Sequence, residues 1–222
     1  MELDKISLRN LKKCKTNYNV ITWNDNNDIS SWNGVNVNNN RVSEIYISGN
    51  DNIHGKVSIP VSIGNPCGFQ FLKKLEIRGN YHNLGDIIPP WIGYLKKLEH
   101  LDLSNNELEG IVPHTFNNLT NLKNLFLHQN KLVGNIDEIP LEKCRKLENV
   151  TLYANNFTKN KERTERLIKK LSCNPNLGWN ARDDYDPSHD RIYNLVEMNK
   201  DHEVYDDTAS NEDYTPQYCV VS

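Results

Sequence analysis

Hydrophobic residues recur along this chain in one frame, which can be written LxxLxLxxN. In one copy the frame places Leu98, Leu101 and Leu103 ahead of Asn106. It appears five times, and the asparagines that close it are 30, 26, 24 and 25 residues apart: Asn50, Asn80, Asn106, Asn130 and Asn155. Self-similarity at such a period is typical of a solenoid, in which each repeat forms one coil and stacks on its neighbours. The pattern therefore predicts about five repeats within residues 41–158.

Each coil is predicted to start with a short strand. Leu101 and Leu103 are two residues apart, so both point to the core, whereas Asp102 between them points to the opposite face. Such a strand is too short to bury its apolar face alone, and parallel strands from neighbouring coils supply the cover. We expect the recurring asparagine to hydrogen-bond backbone groups where the chain turns out of the strand.

A second pattern follows each strand, as in the segment Leu108-Glu109-Gly110-Ile111-Val112-Pro113. The glycine allows tight or left-handed backbone, and the proline belongs off the sheet because it cannot donate to a ladder. The combined pattern LxxLxLxxNxLxGxIP resembles the plant-type leucine-rich-repeat class, which includes receptor-like kinase ectodomains and polygalacturonase-inhibiting proteins. The resemblance covers roughly residues 20–158. It implies an α/β fold, a short right-handed solenoid with a parallel sheet on its concave face and short 3-10 segments outside.

The resemblance extends to the ends of the solenoid. Residues 1–40 are predicted to form an N-terminal cap, because Trp32, Gly34 and Val35 look like the cap motif of plant-type repeats. In that family the motif lies between two bonded cysteines, whose places are taken here by Ser30 and Val37. Within the cap, residues 2–15 are predicted to be a helix whose Leu3 and Ile6 pack on the first coil, with Leu11 and Cys14 as further contacts. Residues 159–179 are predicted to form the C-terminal cap, in which residues 161–171 are a helix with an apolar stripe of Leu167, Ile168 and Leu171, and Trp179 covers the last coil.

Charge and composition exclude several function classes. Residues 180–222 hold eleven Asp/Glu and three Lys/Arg, so this stretch is predicted to be a disordered acidic tail. No Lys/Arg cluster interleaves with aromatic residues, so no nucleic-acid partner is predicted. The seven histidines and five cysteines show no metal-ligand spacing, and no nucleophile pairs with a base. We therefore predict no metal site, no cofactor and no catalytic residue, and the protein is not expected to be an enzyme.

The concave face is the predicted binding surface, because side chains that alternate with the buried leucines point outward there. Aromatic residues and arginine anchor many protein interfaces, although scattered surface aromatics also occur without any role. The residues predicted to bind a protein partner are Tyr46, Arg78, Asp102, Phe126, His128 and Tyr153.

The C-terminal sequence Cys219-Val220-Val221-Ser222 matches a C-a-a-X box, in which serine favours farnesylation of the cysteine. The N-terminal residues contain no apolar signal stretch, and scattered cysteines fit a reducing compartment. The leading hypothesis is therefore a monomeric, cytoplasmic protein-binding module with a signalling or scaffold role. Its single lipid on Cys219 would attach it reversibly to inner membrane surfaces.

The alternative is a secreted relative of receptor ectodomains or enzyme inhibitors, binding a peptide or a cell-wall enzyme. Three N-x-[ST] sequons, at Asn118, Asn149 and Asn156, would then be glycosylation sites. The missing cysteine pair and the missing signal stretch argue against this alternative.

Overall fold

The computed structural model describes residues 2–12, 26–48, 69–78, 85–158 and 160–172. Several sequence predictions therefore lie outside the described residues: the asparagines at positions 50 and 80, the packing of Cys14, the cover by Trp179, the acidic tail, and the lipid site at Cys219.

Eight short strands form two sheets in the described chain: β1 Val35–Asn38, β2 Arg41–Ser48, β3 Lys74–Arg78, β4 Gly85–Ile87, β5 His100–Asp102, β6 Glu107–Glu109, β7 Asn124–Phe126 and β8 Asn149–Thr151. The main sheet has six strands in the order β1-β2-β3-β5-β7-β8. The cap strand β1 runs antiparallel to β2, and every other neighbouring pair is parallel. The predicted parallel sheet of a leucine-rich-repeat solenoid is confirmed.

The register of the main sheet aligns equivalent positions of successive repeats. Leu75 pairs with Leu101, Leu101 with Leu125, and Leu125 with Val150. All four side chains belong to one buried apolar cluster, as the alternation predicts. We call the opposite side of the main sheet, which points away from this cluster, the concave face.

The far side of each coil is built differently. Within the described ranges, four 3-10 helices lie there or in the cap: Ile29–Ser31, Pro90–Tyr94, His114–Asn118 and Ile136–Glu138. The strands β4 and β6 pair in parallel as a second, two-stranded sheet, which was not predicted from the sequence. The reason is that Glu107–Glu109, just before Gly110, run extended beside Gly85–Ile87 of the preceding coil, so the backbone groups of the two segments bond to each other instead of to water.

The recurring asparagines hold the turns that follow the strands. In the central copy, the Asn130 side-chain amide donates to the carbonyls of Leu103 and Leu127 at 2.8 and 3.0 Å, and its Oδ1 accepts from the backbone N–H of Leu108 at 3.0 Å. Asn106 and Asn155 make equivalent bonds, each donating to one carbonyl of the preceding coil and to one of its own coil. The predicted structural role is confirmed at these three positions, which we call the asparagine ladder.

The N-terminal cap closes the first coil through the residues of the motif. The Trp32 side chain is 2% exposed, and Val35 starts the antiparallel strand β1. Gly34 adopts φ +76°, and a Cβ at this position would lie 2.2 Å from the Tyr46 carbonyl oxygen. Since the Gly34 carbonyl also accepts a bond from Tyr46 N–H at 2.7 Å, the motif requires glycine for close approach as well as for backbone angle.

The first helix, α1, spans Glu2–Lys12, so a helix is present where one was predicted. Its packing differs from the prediction, because Leu3 and Ile6 are 46% and 39% exposed while Leu8 is fully buried. The physical reason is an ion pair: Asp4 is buried and accepts from Arg41 Nε at 2.7 Å, which turns the Asp4 face of the helix towards the sheet. Burying a carboxylate in this way requires such a charged partner.

The second helix, α2, spans Lys161–Ser172 and caps the last coil. Leu167 and Leu171 are buried as predicted. On the same helix, Arg163 and Arg166 donate to the two carboxylate oxygens of Asp137 at 2.8 and 2.7 Å. The two arginines help to hold the pKa of Asp137 at about 2, against the opposing effect of burial. The cap is therefore fixed to the preceding 3-10 helix by charge as well as by apolar contact.

Candidate functional site

The six residues predicted to bind a partner lie on the concave face or at its edge. The strand register places Tyr46, Glu76, Asp102, Phe126 and Thr151 in one row across the sheet, each opposite the next. Arg78 ends β3, and His128 and Tyr153 follow β7 and β8 by two residues. The arrangement divides the face into an aromatic part and a charged part.

The aromatic part is a run of four rings, His100, Phe126, His128 and Tyr153, which we call the aromatic run. The rings of His128 and Tyr153 stack with centroids 4.6 Å apart and planes 20° from parallel. Phe126 makes edge-to-face contacts with His128 at 6.5 Å and with His100 at 5.4 Å. Edge-to-face and offset-stacked geometries are the favourable ones for aromatic pairs. Three of the predicted partner-binding residues are therefore brought together.

His128 is held in place and uncharged. Its Nδ1 lies 2.7 Å from the hydroxyl oxygen of Thr151, within hydrogen-bonding distance. Burial lowers the pKa of His128 below its usual value, against the attraction of Asp102. A neutral imidazole stacked on a tyrosine presents a partly exposed surface that can accept another ring or an apolar side chain at little desolvation cost.

Tyr46 does not join the aromatic run. It lies on β2, with two strands between it and Phe126. Its hydroxyl donates to Glu44 at 3.3 Å, and the ammonium group of Lys74 lies 4.8 Å from its ring centroid. The six predicted residues thus form no single patch, because the charged part of the face separates Tyr46 from the other aromatic residues.

The charged part centres on two buried carboxylates, those of Glu76 and Asp102, whose side chains are 8% and 4% exposed. Lys74 Nζ lies 2.8 Å from Glu76 Oε1. Arg78 reaches Asp102 at 3.4 Å while remaining 55% exposed. Asp102 therefore offers a partner little surface, so its prediction from the sequence as an exposed binding residue is wrong. It is held by Ser104, whose N–H and hydroxyl donate to Oδ1 at 2.9 and 2.6 Å.

His100 faces the same two carboxylates. Its Nε2 lies 3.1 Å from Glu76 Oε1, at an angle that makes no hydrogen bond, and this nitrogen is fully buried. Desolvation lowers the pKa of His100, against the attraction of Glu76 and Asp102. The side-chain donor atoms of Glu76, His100 and Asp102 all lie within 4.8 Å of one another. Sequence reasoning missed this group, although the repeat register, which puts the three in adjacent positions, was the signal that could have found it.

The thiol of Cys144 is structural. It is buried, and its Sγ donates to the carbonyl of Phe116 at 3.3 Å. Burial raises the pKa of this thiol to about 12, so it is not a thiolate nucleophile at neutral pH.

Among the residues that the structure describes, no helix combines the length and apolar character needed to cross a membrane.

Comparison with known proteins agrees with this fold. Residues 71–132 match the leucine rich repeat family. Receptor-like protein EIX1 of Solanum lycopersicum is 36% identical over 91 residues, which are 41% of this chain and 9% of that protein. The human oligodendrocyte-myelin glycoprotein is 44% identical over 62 residues, 28% of this chain and 14% of that protein.

Among solved structures, the ectodomain of the Arabidopsis thaliana membrane receptor kinase GASSHO1/SCHENGEN3, in complex with CASPARIAN STRIP INTEGRITY FACTOR 2, superimposes with a TM-score of 0.58 at 27% identity. The match covers 75% of this chain and 19% of that ectodomain. The chain therefore spans less than a fifth of each of these three relatives. Residues 71–132 match leucine-rich repeats, and the described chain folds as a short leucine-rich-repeat solenoid similar to the GASSHO1/SCHENGEN3 ectodomain.

Proposed function

We propose that this chain is a non-catalytic protein-binding module that takes a segment of a protein partner on its concave face. The observation that carries the proposal is the aromatic run, in which neutral, partly exposed rings lie side by side next to the exposed guanidinium of Arg78. Aromatic residues and arginine are the types that contribute most to interface free energy.

The dimensions of the face fit a segment of a partner. Six strands spaced about 4.8 Å apart make a surface about 24 Å wide, which accommodates an extended peptide or one edge of a helix. Solenoids generally use such repeated surfaces for binding. The similar plant ectodomain, which is known in complex with CASPARIAN STRIP INTEGRITY FACTOR 2, supports a partner of this kind.

The rings are fixed before a partner arrives. Phe126 is held between two imidazoles, and His128 is held by Tyr153 on one side and by the Thr151 hydroxyl on the other. Side chains that are already ordered lose little conformational entropy on binding, so more of the contact free energy appears as affinity. We infer that Phe126 and Tyr153 are the anchors and that Arg78 adds charge selectivity at their edge.

Replacing Phe126 or Tyr153 by alanine is expected to weaken partner binding by about 2 kcal/mol, roughly 30-fold in affinity. The measurement is quantitative co-purification of partners with the full chain from its source cells, followed by affinity measurement with the recovered partner. Tyr94→Ala is the matched control, because Tyr94 is 53% exposed on a 3-10 helix away from the sheet. If Phe126→Ala and Tyr153→Ala both retain every partner of the wild-type protein, the concave face is the wrong surface.

The proposal includes a location. The lipid site at Cys219 lies outside the described residues, and farnesylation there stays a prediction from the C-a-a-X sequence. It would place the binding face reversibly at the cytoplasmic side of a membrane. Intact mass of the protein from its native cell is expected to show a farnesyl adduct that is lost in Cys219→Ser.

A second candidate is a secreted or receptor-type binding protein, favoured by the similarity to a receptor-like protein and to a receptor kinase ectodomain. The same mass measurement separates the two candidates. Asn118 is exposed and open to glycosylation, whereas the Asn149 amide already donates to Asn124. Glycans on Asn118 together with an unmodified Cys219 would favour the second candidate and exclude the lipid tether.

A further inference from the structure

One group of side chains on the concave face offers ligand atoms that the proposed partner contact does not use, although the ring of His100 also belongs to the aromatic run. Glu76 comes from β3, and His100 and Asp102 are alternate residues of β5, so the three meet across one strand pair. Their donor atoms lie within 4.8 Å of one another. The group combines an imidazole nitrogen with two carboxylates and is therefore more than a cluster of acidic residues.

The orientation of His100 is the independent observation. Its Nε2 is fully buried and lies 3.1 Å from Glu76 Oε1 in an ion-pair contact, but at an angle that makes no hydrogen bond. Buried polar atoms in folded proteins are nearly always satisfied, and this nitrogen, which lies beside two carboxylates, is placed to ligate a cation. Edge-to-face contact with Phe126 holds the ring in this orientation.

We propose that Glu76, His100 and Asp102 bind one divalent transition-metal ion, with Zn²⁺ as the physiological species. One imidazole with two carboxylates suits Zn²⁺, Co²⁺ or Ni²⁺, whereas Ca²⁺ and Mg²⁺ prefer sites made of oxygen ligands alone. Ligand atoms around such an ion, each about 2.1 Å from it, lie about 3.4 Å apart, so small side-chain rotations bring the three together. Three protein ligands leave a fourth position open towards the concave face.

The surroundings support Asp102 as a ligand. Ser104 holds its Oδ1 through two hydrogen bonds of 2.9 and 2.6 Å, which directs Oδ2 away from the serine. Fixing a ligating carboxylate through hydrogen bonds to its other oxygen is how proteins orient metal ligands. The guanidinium of Arg78 lies 3.4 Å from Oδ2, and the Arg78 side chain is 55% exposed. The guanidinium can therefore move into solvent when an ion enters.

Lys74 competes for the same site. Its ammonium group lies 2.8 Å from Glu76 Oε1, the oxygen that faces His100. An entering cation must displace this ammonium, which then remains over the ring of Tyr46 or moves into solvent. Removing the ammonium therefore removes a competitor without touching a ligand, and this gives the proposal a test with a definite sign.

The experiment titrates the full chain with Zn²⁺ by calorimetry and with Co²⁺ by visible absorption, which reports on coordination geometry. We expect the wild-type protein to bind one ion. In His100→Gln we expect the Co²⁺ absorption spectrum to be lost and the affinity for the ion to fall at least about 10-fold. Lys74→Met is expected to bind the ion several-fold more tightly. His114→Gln, which changes an exposed histidine on a 3-10 helix, is the control and should match the wild-type protein.

Two results would overturn the site. One is the same Co²⁺ spectrum and affinity in wild type and His100→Gln, which would place metal binding elsewhere in the chain. The other is unchanged or weaker binding in Lys74→Met, a variant that keeps all three ligands and decides the matter even if His100→Gln fails to fold. Neither result depends on partner binding, which Phe126→Ala tests separately.

Discussion

Replacing Asn130 by alanine is expected to lower the free energy of unfolding by about 3 to 4 kcal/mol, because it leaves buried backbone groups without partners. The side chain is 7% exposed and serves the carbonyls of Leu103 and Leu127 and the N–H of Leu108. Water cannot replace these bonds in a packed turn, so each orphaned group carries its desolvation cost. The measurement is urea-induced unfolding of the full chain followed by circular dichroism.

Asn121→Ala provides the matched control for this prediction. Asn121 also links two coils, donating to the Lys96 carbonyl at 2.8 Å and accepting from Lys146 at 2.7 Å, but both bonds are exposed to solvent. Water replaces exposed bonds at little cost, so we expect a loss below about 1 kcal/mol. Equal losses in the two variants would show that burial of the asparagine ladder is unimportant for stability.

Gly93→Ala is expected to destabilise the protein by about 3 kcal/mol through overpacking. A Cβ at Gly93 would lie 2.4 Å from the backbone carbon and oxygen of Thr115, on the 3-10 helix of the next coil. The two helices are held at this distance, since the Thr115 hydroxyl donates to the Pro90 carbonyl at 2.8 Å. The extra methyl group must therefore push two neighbouring coils apart. Thermal unfolding measures the loss.

The double variant Gly93→Ala/Thr115→Gly distinguishes a backbone clash from a side-chain clash. Removing the Thr115 side chain eliminates one close contact of the new methyl group, but the contacts with the backbone carbon and oxygen remain. Stability is therefore expected to stay low. Recovery to the wild-type value would contradict the backbone explanation, and Tyr94→Ala, an exposed neighbour of Gly93, controls for changes in this helix.

Repetition explains why much of this fold could be predicted. A single asparagine in a turn would not predict a structural role, but its recurrence at the same position of each repeat does. Asn106, Asn130 and Asn155 make the predicted hydrogen bonds. The same phase placed Asp102 beside Phe126 across two strands. The repeat period and the alternation of apolar residues reflect backbone geometry. They therefore predict the strands, their register and the face to which each side chain points.

Features that occur once could not be predicted in this way. The burial of Asp4 depends on Arg41, which lies 37 residues further along the chain, so hydrophobic periodicity within α1 selected the wrong face. The burial of Asp102 depends on Ser104 and Arg78, which fold over it. Likewise, the lack of a hydrogen bond at His100 Nε2 follows from ring orientation. Side-chain contacts between strands decide these cases, and no local pattern records them.

The asparagine ladder also has a direction. Asn130 bonds to Leu103 and Leu108 of the coil before it, and Asn155 bonds to Leu127 and Leu132 in the same way. Each asparagine thus joins the turn of its own coil to backbone groups of the N-terminal neighbour by hydrogen bonds. Loss of a coil from the C-terminal end leaves every remaining asparagine satisfied but frees backbone groups such as the Leu132 N–H. Loss of one from the N-terminal end removes the inter-coil partners of the next asparagine and leaves its bonds within its own turn. The two ends of the solenoid therefore lack different partners: the C-terminal end lacks an amide side chain, and the N-terminal end lacks backbone groups.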